Sequence, residues 1–291
     1  MPTPFETYVR PARNTAQIWR TLVGVMAILM IYIALNAGAL FYVALQAGPD
    51  VAESTVAKAG IGTTPGAAMT ALATFIPLVI GIGLVTWALH RRAPMSLMGE
   101  GWEVEFVRAV GLIAVLAGLS YLLSPAGEPV EQNLPLSIWL TVLPLALLLV
   151  GIQTLSEELL FRGYLQQQLA ARFATPVLWL LVPSILFGVA HTAPSVMGDA
   201  WLFPVIAATL FGLVAADLTA RHGNLGAAWG IHLANNTAAI LMVATEGQLS
   251  GLSLYVSPYS LEEVAANPAL ALPQAVPLIL AWVILRRRSP V

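Results

Sequence analysis

Hydrophobic residues in this chain come in long unbroken runs, without the three-to-four spacing of a soluble helix or the alternation of a half-buried strand. The runs cover residues 22–45, 67–89, 107–123, 134–151, 176–190, 202–218, 225–243 and 269–285. Each is near the length of about 20 residues that carries a helix across a bilayer. Between them stand turn-forming clusters: Gly48-Pro49, Arg91-Arg92-Ala93-Pro94, Ser124-Pro125, Thr175-Pro176, His222-Gly223-Asn224 and Asn267-Pro268. The pattern predicts an all-α polytopic membrane protein, a bundle of about eight transmembrane helices. It divides into residues 1–133, three peripheral spans, residues 134–243, a four-span core, and residues 244–291, an outer loop and a last span. A short amphipathic helix is expected in that loop near residues 261–266.

Charge orients the bundle. With both termini inside, the inner segments hold Arg10, Arg13, Arg20, Arg91, Arg92, Arg108, Arg162, Arg172, Arg221, Arg286, Arg287 and Arg288, and Lys58 alone lies outside. The outer loops hold Asp50, Glu53, Glu128, Glu131, Asp199, Glu246, Glu262 and Glu263. This is the positive-inside distribution, and a different number of spans would scramble it. The expected location is the cytoplasmic membrane of a bacterium, with both termini cytoplasmic.

Composition narrows the class further. The chain is 58% hydrophobic and 10% charged, against about 45–50% and about 25% in soluble domains. That excludes a water-soluble enzyme and a disordered chain. Thirteen Lys and Arg against 15 Asp and Glu leave no basic surface for nucleic acid, and unbroken runs exclude an outer-membrane barrel. With no cysteine, there is no disulfide, thiolate zinc site or thiol nucleophile. The first residues lack the short apolar run and cleavage site of a signal peptide, so the first run is expected to be a retained span.

Ionisable side chains within apolar helices are costly and mark function. The first three spans hold little beyond Asn36 and the end-lying Arg108. The second half collects Glu157, Glu158, Arg162, His191, Asp217, His232, Asn235 and Asn236. On a helix Glu158 and Arg162 share a face with the acid N-terminal, while Glu157 is rotated by about 100°. A helix-end salt bridge accounts for Glu158 and Arg162 but leaves Glu157 over. Phe187 and His191 are also four apart, so the ring can pack under the imidazole, although a lone histidine in an apolar helix is more often a core residue. His232 shares a face with Asn236, with Asn235 close by, a set that also suits hydrogen bonding between helices. Asp217 and Arg221 read as a boundary ion pair, and His90 and His222 as solvated loop residues.

Depth lets the three groups meet. If a hairpin turns at Thr175-Pro176, Glu157 and His191 both lie about 15–18 residues, or roughly 22–27 Å, from the turn and face each other across it. The first arm must then continue through Gln166–Gln168 into polar surroundings. His232 lies about 10 residues, or roughly 15 Å, from His222-Gly223, close enough in level to share one cavity.

Glu157-Glu158-x-x-x-Arg162, Phe187-x-x-x-His191 and His232-x-x-x-Asn236 together resemble the three motifs of the CPBP family. These are the CAAX-processing and bacteriocin-processing intramembrane proteases, including the Rce1-type endopeptidases and the Abi proteins. The resemblance runs from about Leu134 to Val243. It implies that Glu157 and His191 activate water and that His232 and Asn236 hold the oxyanion, with Glu158, Arg162 and Phe187 organising the site. The implied activity is an intramembrane endopeptidase acting on a membrane-associated protein or peptide within the lipid bilayer. No cofactor is expected. The family has also been described as metalloproteases, and a zinc form here would draw on Glu157, Glu158, His191 and His232. The competing readings are a non-catalytic scaffold or immunity protein and a transporter. Transporters often show polar, interrupted helices in both halves, whereas only one half is polar here.

Reporter fusions at Met1 and Val291 are expected to show both termini on the cytoplasmic side. Accessibility of either terminus from outside contradicts the eight-span count.

Overall fold

The computed structural model describes residues 2–123, 130–192, 198–245 and 249–287. Among these the fold is α-helical. Helix α1 (Pro4–Val9) precedes the long α2 (Ile18–Ala47) and the shorter α3 (Pro49–Ile61). Helices α4 (Pro65–Ala73) and α5 (Ile76–Ala88) return together, followed by α6 (Trp102–Leu123). Helix α7 (Leu136–Glu158) runs on through a π-helical segment, Leu159–Gln166, into α8 (Gln167–Arg172). Then come α9 (Pro176–Ala190), α10 (Leu202–His222), α11 (Gly226–Thr237), α12 (Leu261–Ala266) and α13 (Leu272–Arg287). A small sheet of β1 (Glu131–Gln132), β2 (Val243–Thr245) and β3 (Tyr255–Ser257), in the order β1-β3-β2, ties the start of α7 to the chain after α11.

Local chemistry sets many of the helix ends. Thr3 and Ser260 cap α1 and α12 in reciprocal boxes with Glu6 and Glu263. Helix α12 forms where the outer loop was expected to carry a short helix. Prolines open α3, α4 and α9, where the missing N–H is no loss.

Four helical stretches are long and apolar enough to cross a membrane: Ile18–Ala47, Pro65–Ala88, Leu136–Arg172 and Leu202–His222. The protein is a membrane protein. The other apolar runs make shorter or more polar helices. Helix α9 has 15 residues, a rise of about 22 Å against a hydrocarbon thickness near 30 Å. Helix α6 opens on Glu103, Glu105 and Arg108, and α11 passes into a second π-helical segment at Ala238–Met242. Met1, Glu128, Glu246, Arg288 and Val291, which enter the topological expectation, lie outside the described residues.

Close approach between helices is achieved with glycine. A side-chain carbon on Gly230 of α11 would sit 2.7 Å from both the Ala109 Cβ and the Phe106 carbonyl oxygen of α6. One on Gly188 of α9 would sit 2.0 Å from the Thr209 hydroxyl of α10. Small residues permit this contact where no hydrophobic effect drives helices together. The larger apolar cluster gathers Tyr8, Ile82, Leu97, Leu160, Tyr164, Phe187, Phe211, Leu218 and Ile231 around the π-helical segment.

Five polar residues expected in solvent or polar surroundings are interior. His90 is 3% exposed, its Nε2 2.7 Å from the Tyr164 hydroxyl and its Nδ1 2.7 Å from Gln168 Nε2. His222 is 7% exposed and pairs with Glu105 at 3.3 Å. Gln166, Gln167 and Gln168 are fully buried, with Gln166 donating to the Ala216 carbonyl and Gln167 to the Tyr8 carbonyl. The cause is the N-terminal segment. Helix α1 tucks under the bundle, burying Tyr8 and Val9, and the Tyr8 hydroxyl donates to the Leu97 carbonyl at 2.8 Å beside the Arg162 carbonyl at 3.2 Å. The Asp217–Arg221 pair forms as expected, at 2.9 and 3.0 Å, and the Trp282 indole also donates to Asp217.

Candidate functional site

The two glutamates close α7 at the point where its hydrogen bonding changes to the wider π-helical pattern. Such segments are uncommon and recur at functional sites. Glu158 is fully enclosed, and its Oε1 accepts from Arg162 Nη1 at 2.9 Å and from His232 Nδ1 at 2.7 Å. One carboxylate therefore joins a residue four positions on to a histidine of α11. Arg162, 1% exposed, lies over the Phe187 ring at 4.5 Å, with the Phe161 and Phe211 rings at 5.9 Å. Three aromatic faces thus surround the guanidinium and strengthen its hold through cation–π attraction.

Glu157 takes a separate position. Its Oε2 lies 3.4 Å from His232 Nε2, an ion-pair distance without hydrogen-bond geometry. His232 consequently sits between the two acids, Nδ1 on Glu158 and Nε2 towards Glu157. With Nδ1–H donated to Glu158, a proton carried on Nε2 faces Glu157. Oxygen Oε2 of each glutamate and Nη2 of Arg162 are enclosed without a protein hydrogen-bond partner. Buried polar atoms are ordinarily satisfied, and these three lie together where the two acids meet the arginine.

Asn236 lies one turn beyond His232. Its amide donates to Gln153 Oε1 at 2.9 Å, and its carbonyl oxygen accepts from Asn235 at 3.2 Å. An Asn side chain carries two N–H donors, so this arrangement leaves one to offer. Gln153 was not singled out from the sequence. It lies just past the apolar run and four residues before Glu157, on the same face, and that periodicity was the available signal.

His191 joins the group indirectly. Its ring packs on Phe187 with centroids 4.5 Å apart, and Nδ1 lies 2.8 Å from the Phe187 carbonyl oxygen. The His232 ring meets the same Phe187 edge-on at 5.8 Å. Both imidazoles thus contact one phenyl ring, but no hydrogen bond or ion pair joins His191 to Glu157. The two arms of the expected hairpin are linked here through the Phe187 ring and His232. Among the described residues no group of three or more His, Asp or Glu side chains is placed so as to hold a metal ion.

Removing Glu158 strands Arg162 among aromatic rings. Truncating one partner of a buried pair costs about 3–5 kcal/mol, so Glu158→Ala is expected to lower the detergent melting temperature and the folded yield sharply. A Glu158→Ala protein that melts like the wild type shows that the pair carries no such energy.

The comparisons with known proteins bear on this half of the chain. The family described as type II CAAX prenyl endopeptidase Rce1-like matches residues 135–238, which hold all three motifs. The chain is also similar to the uncharacterized protein YyaK of Bacillus subtilis (strain 168), 35% identical over 121 residues. That alignment covers 42% of this chain and 40% of the relative's length. No solved structure matches. The motif resemblance and the family match coincide on one segment, and residues 135–238 are similar to the Rce1-like family of type II CAAX prenyl endopeptidases.

Proposed function

We propose that the protein is an intramembrane endopeptidase that hydrolyses a peptide bond of a membrane-associated protein or peptide. The observation that carries this reading is the placing of two buried carboxylates on either side of His232, with Asn236 held by Gln153 and one amide N–H to spare. In this reading Glu157, with His191 close by, takes a proton from a water molecule as its oxygen attacks the scissile carbonyl. The oxyanion is held by Asn236 and His232, and donors fixed where negative charge develops are usually the largest electrostatic contribution in acyl transfer. Glu157 then returns the proton to the leaving amine. Glu158 and Arg162 position His232, and Phe187 positions both imidazoles. Enclosure by apolar helices keeps bulk water from these groups and strengthens each interaction.

The proposed architecture has about eight spans in a bacterial cytoplasmic membrane, with both termini in the cytoplasm. Residues 134–243 are its catalytic core, and residues 1–133 and 244–291 surround it. The Rce1-like match supports a CAAX-type protease.

The test compares membrane proteomes of wild-type cells and cells carrying Glu157→Gln. General acid–base groups contribute roughly 10²–10⁴-fold, so the variant is expected to fold, to lose processing by a factor in that range, and to accumulate uncleaved precursors. Wild-type activity is expected to survive strong chelators and extensive washing. Unchanged processing by Glu157→Gln favours a scaffold or immunity role. Loss on chelation with recovery on adding zinc favours a metalloprotease and leaves the protease reading in place.

A further inference from the structure

Away from the glutamates, the start of α2 and the end of α5 bring an arginine group together. Helix α2 leaves this end of the bundle and α4–α5 return to it, so Arg20 in the first turn of α2 and Arg91-Arg92 just after α5 share one level. Arg91 adopts a left-handed backbone (φ 52°), uncommon for a residue with a side chain, and it is exposed while Arg92 turns inward. Arg92 Nη1 donates to Gln167. Arg92 Nε, Arg92 Nη2 and Arg20 Nε are enclosed with no hydrogen-bond partner. Among the described residues none of the three arginines forms an ion pair. Next to them an open cleft of about 670 Å³ is lined by Trp87, Ala88, Arg91, Arg92 and Ala93.

Other arginines among the described residues have acidic partners. Arg162 is paired with Glu158, and Arg221 with Asp217. Enclosed charge without a partner is costly, and His90 supplies none: burial, then Arg92 and Arg20, push its pKa down to about 4 and keep it neutral. Burial likewise lowers Arg92 to about 10. Trp19 and Trp87 flank the group, 54% and 66% exposed. Exposed tryptophans at helix ends mark the level of lipid headgroups, and the anion met at that depth is phosphate. Guanidinium groups suit it because their paired N–H donors match its oxygens.

We propose that Arg20, Arg91 and Arg92 form a binding site for a net-anionic phosphate group at the membrane interface. The site does not depend on the protease reading, and its ligand is either the headgroup of an acidic phospholipid or free phosphate.

The experiment uses the full-length, delipidated protein in detergent and follows its thermal unfolding. The additions are dioleoylphosphatidylglycerol, dioleoylphosphatidylcholine or inorganic phosphate. Phosphatidylglycerol is expected to raise the melting temperature by about 2–4 °C or more over phosphatidylcholine, the shift that stabilisation by a bound ligand produces at this chain length. Arg20→Gln and Arg92→Gln are each expected to lose that shift. A shift with inorganic phosphate that disappears in the same variants also supports the site and identifies free phosphate as its ligand. Should the variants fail to fold, native mass spectrometry of the wild type in equimolar mixtures of the two lipids carries the test, with preferential retention of phosphatidylglycerol expected. Equal effects of both lipids together with no response to phosphate overturn the proposal. So does a shift that persists in both variants, or retention of the two lipids in equal amounts.

Discussion

Glu158 is enclosed completely, yet it accepts from an arginine of its own helix and a histidine of another. Much of the candidate site depends on that carboxylate. It compensates Arg162, whose guanidinium is otherwise walled by Phe161, Phe187 and Phe211. It also orients His232, because an Nδ1–H committed to Glu158 turns Nε2 towards Glu157. A π-helical segment begins at Leu159, directly after the two acids. A buried ion pair is weak ground for stability. Here its consequence is directional: it fixes which way an imidazole points between two acids.

Around this node the packing is arranged to hold positions. Gly230 brings α11 against α6, and Gly188 brings α9 against α10, so His232 and Phe187 sit on helices with little room to shift. Phe187 then links the two histidines through one ring. Gln153, one turn before Glu157, fixes the amide of Asn236. Helix α1 closes the assembly from one end, its Tyr8 hydroxyl reaching the carbonyls of Leu97 and Arg162.

Much of this was legible in the sequence. Long apolar runs identified an all-α membrane protein, and motif spacing singled out residues that the structure gathers on α7, α9 and α11. The pairing of Glu158 with Arg162 follows from four-residue spacing alone. Other features were not legible, for physical reasons. Contacts between distant segments leave no local pattern, which hid α1, the small sheet and the burial of His90 and His222. A π-helical segment has no hydropathy signature. The position of Glu157 beside His232, with no hydrogen bond or ion pair to His191, depends on how three helices are packed, and spacing along each helix does not determine it.

The direct test of the central interaction is the state of His232, observed by nitrogen-15 NMR of the purified protein with labelled histidine. The account predicts a protonated Nδ1 whose hydrogen is held in a short bond, with its signal shifted far downfield. That signal should vanish in Glu158→Gln and persist in Glu157→Gln. An unprotonated Nδ1, or a signal indifferent to Glu158→Gln, would contradict the claim that Glu158 sets the orientation of His232.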